Sequence, residues 1–219
     1  MLRNDYDHNI VSWVGLPLGV LSGVLVAEVA ILPSYISVGK FTDMFSIVLT
    51  AFYTLAMMAM GSMMFDKMRT RHGQVAYLTL PATSMEKYLV NWIETVVATF
   101  VSFVVGLVAA DTLRMALCSA IGYNPEYCTL LLPQVFFKHV LPANDLVLWL
   151  QSMMMIGSAL WRRKPMVKGL ALTVAVALPG SYAIDVIQMD QSIVRPILYV
   201  LTAVNYVISY RIFVKSQIR

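Results

Sequence analysis

Two apolar runs, Phe45 to Met64 and Tyr88 to Ala110, stand either side of a polar stretch, and that pairing constrains the chain more than any other feature. A helix that crosses a bilayer needs roughly 20 apolar residues to cover about 30 Å of hydrocarbon, and both runs meet that length. The stretch between them, FDKMRTRHGQVAYLTLPATSMEK (Phe65 to Lys87), carries Lys67, Arg69, Arg71 and Lys87. Short loops rich in Lys and Arg resist translocation, so this loop is expected on the cytoplasmic side. Composition points the same way: the chain is 59% hydrophobic and 13% charged, whereas a soluble domain is about 25% charged. No polar segment is long enough to hold a core of its own, so residues 1–219 are expected to form a single transmembrane domain.

Four more apolar runs complete the plan. Ile10 to Leu32 is too long for a signal-peptide core and no small-x-small cleavage site follows it, which predicts a retained first helix. The expected fold is an all-α integral membrane protein with six transmembrane helices at about 10–32, 45–64, 84–110, 146–161, 167–187 and 196–213. An outer loop over 111–145 separates the third from the fourth, and both termini are cytoplasmic. This orientation puts Arg3, Lys67, Arg69, Arg71, Lys87, Arg162, Arg163, Lys164, Lys168, Arg211, Lys215 and Arg219 inside, twelve of the 16 basic residues. A seventh span over Cys128 to Val140 would move the last two basic clusters outside, against the positive-inside rule. That segment is short and broken by Pro133, so it reads as an interfacial or re-entrant element. Trp13, Trp92 and Trp161 then fall near the inner interface and Trp149 near the outer one, where indoles are favoured.

Local signals refine the plan. Gly15, Gly19, Gly23 and Ala27 recur every four residues on one face of the first helix, a small-residue strip that allows close helix packing. Met57, Met58, Met60, Met63 and Met64 suit an irregular interior. Thr83-Ser84-Met85-Glu86 fits a capping box that opens the third helix, with Pro81 just upstream. Pro179-Gly180 predicts a kink in the fifth. Cys118 and Cys128 share the expected outer loop, either as two separate thiols or, in an oxidising compartment, as a pair.

The sequence offers few groups for chemistry. Glu28, Glu94 and Asp185 lie in or at the edge of apolar runs, where an ionisable group usually faces protein or water. Glu28 and Asp185 are expected near the outer headgroups. Glu94 sits on a face of the third helix marked by Asn91, Thr95 and Ser102. That face is either a packing seam against another helix or one wall of a substrate path. There is no phosphate-binding loop, no His-Glu-x-x-His pair and no Gly-x-Ser-x-Gly elbow. His8, His72 and His139 are scattered, so neither a metal site nor an enzyme is expected. The basic residues sit in short clusters between apolar runs, which disfavours nucleic-acid binding.

Phe65 to Tyr77 can form a short amphipathic helix, with Phe65, Met68 and Val75 apolar and Asp66, Lys67, Arg69, Arg71, His72 and Gln74 polar. Such a helix either lies on anionic lipid or docks a cytoplasmic partner. The run VAYLTLPATSMEKYL (Val75 to Leu89), directly after the second apolar run, resembles the inner loop of small ATP-binding-cassette exporter permeases of the type-two, Bacteroidetes-type family. The likeness is specific over this loop and is joined elsewhere by the six-helix plan. It implies that the loop holds a coupling helix seated on a separate cytoplasmic ATPase subunit, with Asp66, Lys67, Arg69, Arg71, His72, Gln74 and Tyr77 as docking residues. ATP and Mg would then bind the partner subunit and no cofactor this chain. The resemblance further implies a second permease subunit, identical or not, with the Gly15–Ala27 strip near the pair's interface, in a bacterial inner membrane. The other reading is a non-transporting six-helix membrane protein, such as an immunity, assembly or scaffold factor.

Overall fold

The computed structural model of the chain describes residues 38–68, 73, 75, 79, 81–121, 136, 140–161, 164–187 and 191–217. These residues are helical or in turns, with no strand among them. The helices are α1 (Val38–Met63), α2 (Ser84–Ile93), α3 (Thr99–Ile121), α4 (Asn144–Leu160), α5 (Pro165–Ile187) and α6 (Gln191–Gln217). A π-helical segment, Glu94–Ala98, lies between α2 and α3 in the chain. The expected first helix at 10–32, with Gly15, Gly19, Gly23, Ala27 and Glu28, lies outside the described residues.

Three helical stretches are long and apolar enough to cross a membrane: Ser46–Met63, Ser84–Ala116 and Ser192–Lys215. They carry their apolar side chains outward. Val101, Val105 and Val108 of α3 and Val200, Val204, Val207 and Ile208 of α6 are all more than 40% exposed. Rows of aliphatic side chains facing outward on long helices suit a hydrocarbon solvent and mark a membrane protein.

Three boundaries differ from the sequence expectation. Val38 to Met44, expected as loop, is helical. Gly39, Lys40 and Asp43 are polar or small, but no proline follows Pro33, so nothing in the segment breaks a helix that extends past the hydrocarbon. The third expected helix, which was to end at Ala110, runs on to Ile121, so the outer loop begins later than 111 and Cys118 lies on α3. The residues that suggested an end, Asp111 and Arg114, neutralise each other along the helix. Arg114 donates from Nη2 to Asp111 Oδ1 at 2.6 Å and from Nε to the same oxygen at 3.2 Å. An i,i+3 ion pair removes the reason to leave the helix. Finally, α6 begins at Gln191 rather than Pro196, the proline deleting one main-chain bond near the helix start. Pro179 likewise lies inside α5.

The described residues form two compact units, one from those up to Ala56 and from Thr99 to Ala143, the other from Met57 to Ala98 and from Asn144 onward. In the first, Tyr53 is fully buried, with the Phe103 ring 4.6 Å away and the Phe100 ring 6.4 Å away, edge-on. Phe136 packs on Phe100 at 6.2 Å, which brings part of the expected interfacial segment onto α3.

In the second unit α4 is the hub. Every residue from Gln151 to Ser158 is buried. Side α5 packs antiparallel to α4: a Cβ on Gly157 would lie 2.7 Å from the Gly169 Cα, and Thr173 Oγ1 lies 3.8 Å from Met154 Sδ. On the other side α6 runs parallel to α4. Arg195 meets Asp145 at 3.9 Å, Asn205 meets Ser152 at 3.0 Å, and Phe213 joins the core around Met155. The turn into α5 places Lys164 at φ 53°, the left-handed region where a Cβ is strained.

Two substitutions test this packing. Lys164→Gly should raise stability by about 1 kcal/mol, because glycine adopts that backbone without strain. Gly157→Ala should lower it by about 1–3 kcal/mol, since the neighbouring atom is backbone and cannot step aside. Reversible unfolding in detergent would check both.

Candidate functional site

The loop base is built first by its caps. Thr83, at φ −66° and ψ 155°, accepts the Glu86 N–H at 3.3 Å, and Glu86 Oε2 accepts the Thr83 N–H at 2.8 Å. This reciprocal pair satisfies two donors that would otherwise be orphaned and fixes where α2 starts. At the other end of the loop, α1 tightens into the one-turn 3-10 helix Asp66–Met68, in which the Met68 N–H donates to the Phe65 carbonyl at 3.0 Å. Between the two ends, the Thr79 N–H donates to the Val75 carbonyl at 3.0 Å.

Those two ends converge on one aromatic cluster. Phe65 and Met68 are buried with Met64, Tyr88, Met155 and Phe213, and Trp92, Tyr206 and Tyr210 pack around them. Phe65 stacks on Phe213 with centroids 5.1 Å apart and planes 17° off parallel. Tyr88 lies 6.3 Å from Phe65, 6.0 Å from Phe213 and 5.3 Å from Tyr210, the last edge-on. Its hydroxyl donates to the Tyr206 carbonyl at 3.0 Å. The apolar side of the loop's first turn is thus spent on the protein's own core. Asp66, on the same turn, is exposed.

Of the expected docking residues, Asp66 and Lys67 lie in this 3-10 turn. Arg69, Arg71, His72, Gln74 and Tyr77 lie outside the described residues. Lys87, reckoned with the loop cations, is buried in the first turn of α2.

Further along α2 and into the π segment lies a seam of uncharged polar groups. Asn91 and Thr95 are buried, and the Thr95 hydroxyl donates to the Asn91 carbonyl at 2.7 Å. Thr95, Val96 and Val97 are consecutive β-branched residues, which crowd the preceding turn. Here the helix widens to the π form, and Gln151 of α4 donates from Nε2 to the Thr95 carbonyl at 3.2 Å. A side chain entering the main-chain ladder is a recognised cause of such a local distortion. Gln151 Oε1 is buried and has no hydrogen-bond partner among the described residues. Nearby on α4, Ser152 donates to the Trp149 carbonyl at 2.6 Å and accepts from Asn205 Nδ2 of α6.

Of the four residues expected to form either a seam or a path, Asn91 and Thr95 come together as a seam. Glu94, in the π segment, is half-buried, and Ser102 is half-buried in the other unit. Gln151, Ser152 and Asn205 were missed, because uncharged polar residues in the apolar runs were followed only on the third helix, around Glu94. Isolated Gln and Asn within such runs were a usable signal, since each must find a partner away from water. The Asp111–Arg114 pair was legible in the same way, from its i,i+3 spacing. Among the described residues, no group of three His, Cys, Asp or Glu side chains could hold a metal ion.

The seam predicts an order of costs. Asn205→Ala should lose about 1 kcal/mol, the size of one interhelical hydrogen bond in a membrane protein. Gln151→Leu should change stability by less than that, because its unpartnered oxygen already offsets its single bond. Unfolding measured side by side for the two variants checks the ranking. No family model, no curated protein and no solved structure matches this chain.

Proposed function

We propose that this chain is the membrane-spanning subunit of an ATP-driven exporter of the type-two permease class, worked by a separate cytoplasmic ATPase that docks on the 65–87 loop. The observation that carries the reading is the anchoring of that loop. Phe65 and Met68 are buried in the protein rather than turned to lipid, while Asp66 on the same turn faces out. A surface-lying amphipathic helix would do the reverse and press its apolar face into the headgroups. A loop glued at its base, with Asp66 turned outward, is suited to receive a partner and pass on its motion.

Helix directions support the six-span arrangement with both termini inside. α2 runs antiparallel to α6, since Tyr88 meets Tyr206 and Tyr210, while Trp92, a turn further along α2, meets Tyr206. α4 runs parallel to α6, and α5 antiparallel to α4. This is the alternation expected of the third, fourth, fifth and sixth spans. The membrane is then a bacterial inner membrane, and the functional unit a pair of such subunits with two ATPases. ATP and Mg belong to the ATPase.

A second reading has an observation of its own. Thr95 is tied to α4 by the Gln151 bond, which favours packing over a substrate path at this level and so suits a non-transporting six-helix scaffold. Purification decides between them. Tagged protein drawn from native membranes should retain an ATPase with its own phosphate-binding loop. Arg71→Glu combined with His72→Glu should lower that retention about tenfold or more, because like charge set against a complementary patch is strongly unfavourable. No ATPase retained by the unaltered protein would leave the scaffold reading.

A further inference from the structure

The loop is covalently continuous with α1 and α2, so docking would move those two helices in any case. The aromatic cluster adds α6, the carboxyl-terminal helix, which the loop does not reach through the chain. We propose that the Phe65–Phe213–Tyr88 stack is the joint through which the docked ATPase moves α6. This rests on the ATPase-docking reading given above.

Three features of the joint carry the inference. First, it is built on successive turns of one face: Tyr206, Tyr210 and Phe213 are spaced by four and three residues and all reach the loop base. Residues so spaced share a helix face. Second, it is stiff. Phe213 is 1% exposed and Phe65 6%, their rings are near parallel at 5.1 Å, and Tyr88 closes the third side while its hydroxyl is tied to the α6 main chain. A close-packed interior passes on displacement rather than absorbing it. Third, the joint lies at the cytoplasmic end of α6, while the middle of that helix exposes aliphatic side chains at Ile197, Val200, Val204, Val207 and Ile208, with Tyr199 among them. A helix held by polar and aromatic contacts on one face and bathed in lipid on the other can shift along that face. Phe213 is therefore a positioning residue: it touches no nucleotide and acts through Phe65.

The test separates a joint from a mere piece of core. Full-length protein with Cys118→Ser and Cys128→Ser receives Ser192→Cys, an exposed position at the opposite end of α6 from the joint. It is purified in lipid nanodiscs with its retained ATPase, and the rate of thiol labelling at position 192 is measured with and without ATP, Mg and vanadate. ATP should change the rate about fivefold or more, the usual lower bound of a coupled transition. Phe213→Leu, which removes the ring but keeps an apolar side chain, should abolish that change while leaving ATPase retention within about twofold. Phe213→Tyr, which keeps the ring, should restore it. Met155→Ala is the control: it hollows the same cluster and is the more destabilising change, yet should leave the ATP response in place.

If Phe213→Leu keeps the ATP response, or if Met155→Ala loses it equally, the stack is ordinary packing and the inference is overturned while the transporter reading stands. If the unaltered protein retains no ATPase, the transporter reading fails and takes this inference with it.

Discussion

Hydrocarbon offers no hydrogen bonds, and that single constraint shapes every polar feature of the described helices. Each buried donor or acceptor has to find a partner inside the protein or bear a desolvation cost of several kcal/mol. Several serine and threonine side chains meet it by bonding back to their own helices, as Thr50 does to Ser46 and Thr202 to Leu198, while Thr99 and Ser209 bear the cost. Gln151 and Asn205 instead reach across to neighbouring helices. Asp111 and Arg114 meet it as an ion pair within a single helix. The resulting interhelical bonds lie on α4, which is why that helix, though only 17 residues long, is the one around which its unit packs.

Close packing does the rest. Without a hydrophobic drive between helices, van der Waals contact decides which faces meet. The Gly157–Gly169 crossing allows α4 and α5 to approach at backbone distance, and methionines at 153, 154 and 155 fill the irregular space that remains. Aromatic rings take over where the 65–87 loop leaves α1 and enters α2. There Phe65 and Met68 at the loop base share one cluster with α2, α4 and α6.

Much of this was readable in the residues, and the divisions have physical causes. Apolar length placed the helices found among the described residues, because lipid demands continuous main-chain hydrogen bonding. The α2 start was legible because the Thr83–Glu86 box is a local device that depends on four residues only. Helix ends at 38–44 and 111–121 were misread because polarity was taken to mean loop, whereas helices run past the hydrocarbon and charges can cancel along them. The aromatic joint was not legible at all. Phe65 and Phe213 are separated by almost the whole described chain, and no local pattern reports that they stack. Phe65 and Met68 were seen as the apolar side of an amphipathic turn, but a sequence gives no means of deciding whether such a side meets lipid or protein.

The account stands on the side of the membrane that the 65–87 loop occupies. Thr79 is exposed in that loop, so Thr79→Cys in a background of Cys118→Ser and Cys128→Ser offers a thiol to a membrane-impermeant reagent. Labelling in inverted inner-membrane vesicles with none in intact spheroplasts is the result expected of a cytoplasmic loop that faces an ATPase. Labelling in intact spheroplasts would put the loop outside the cell and contradict the account at its root.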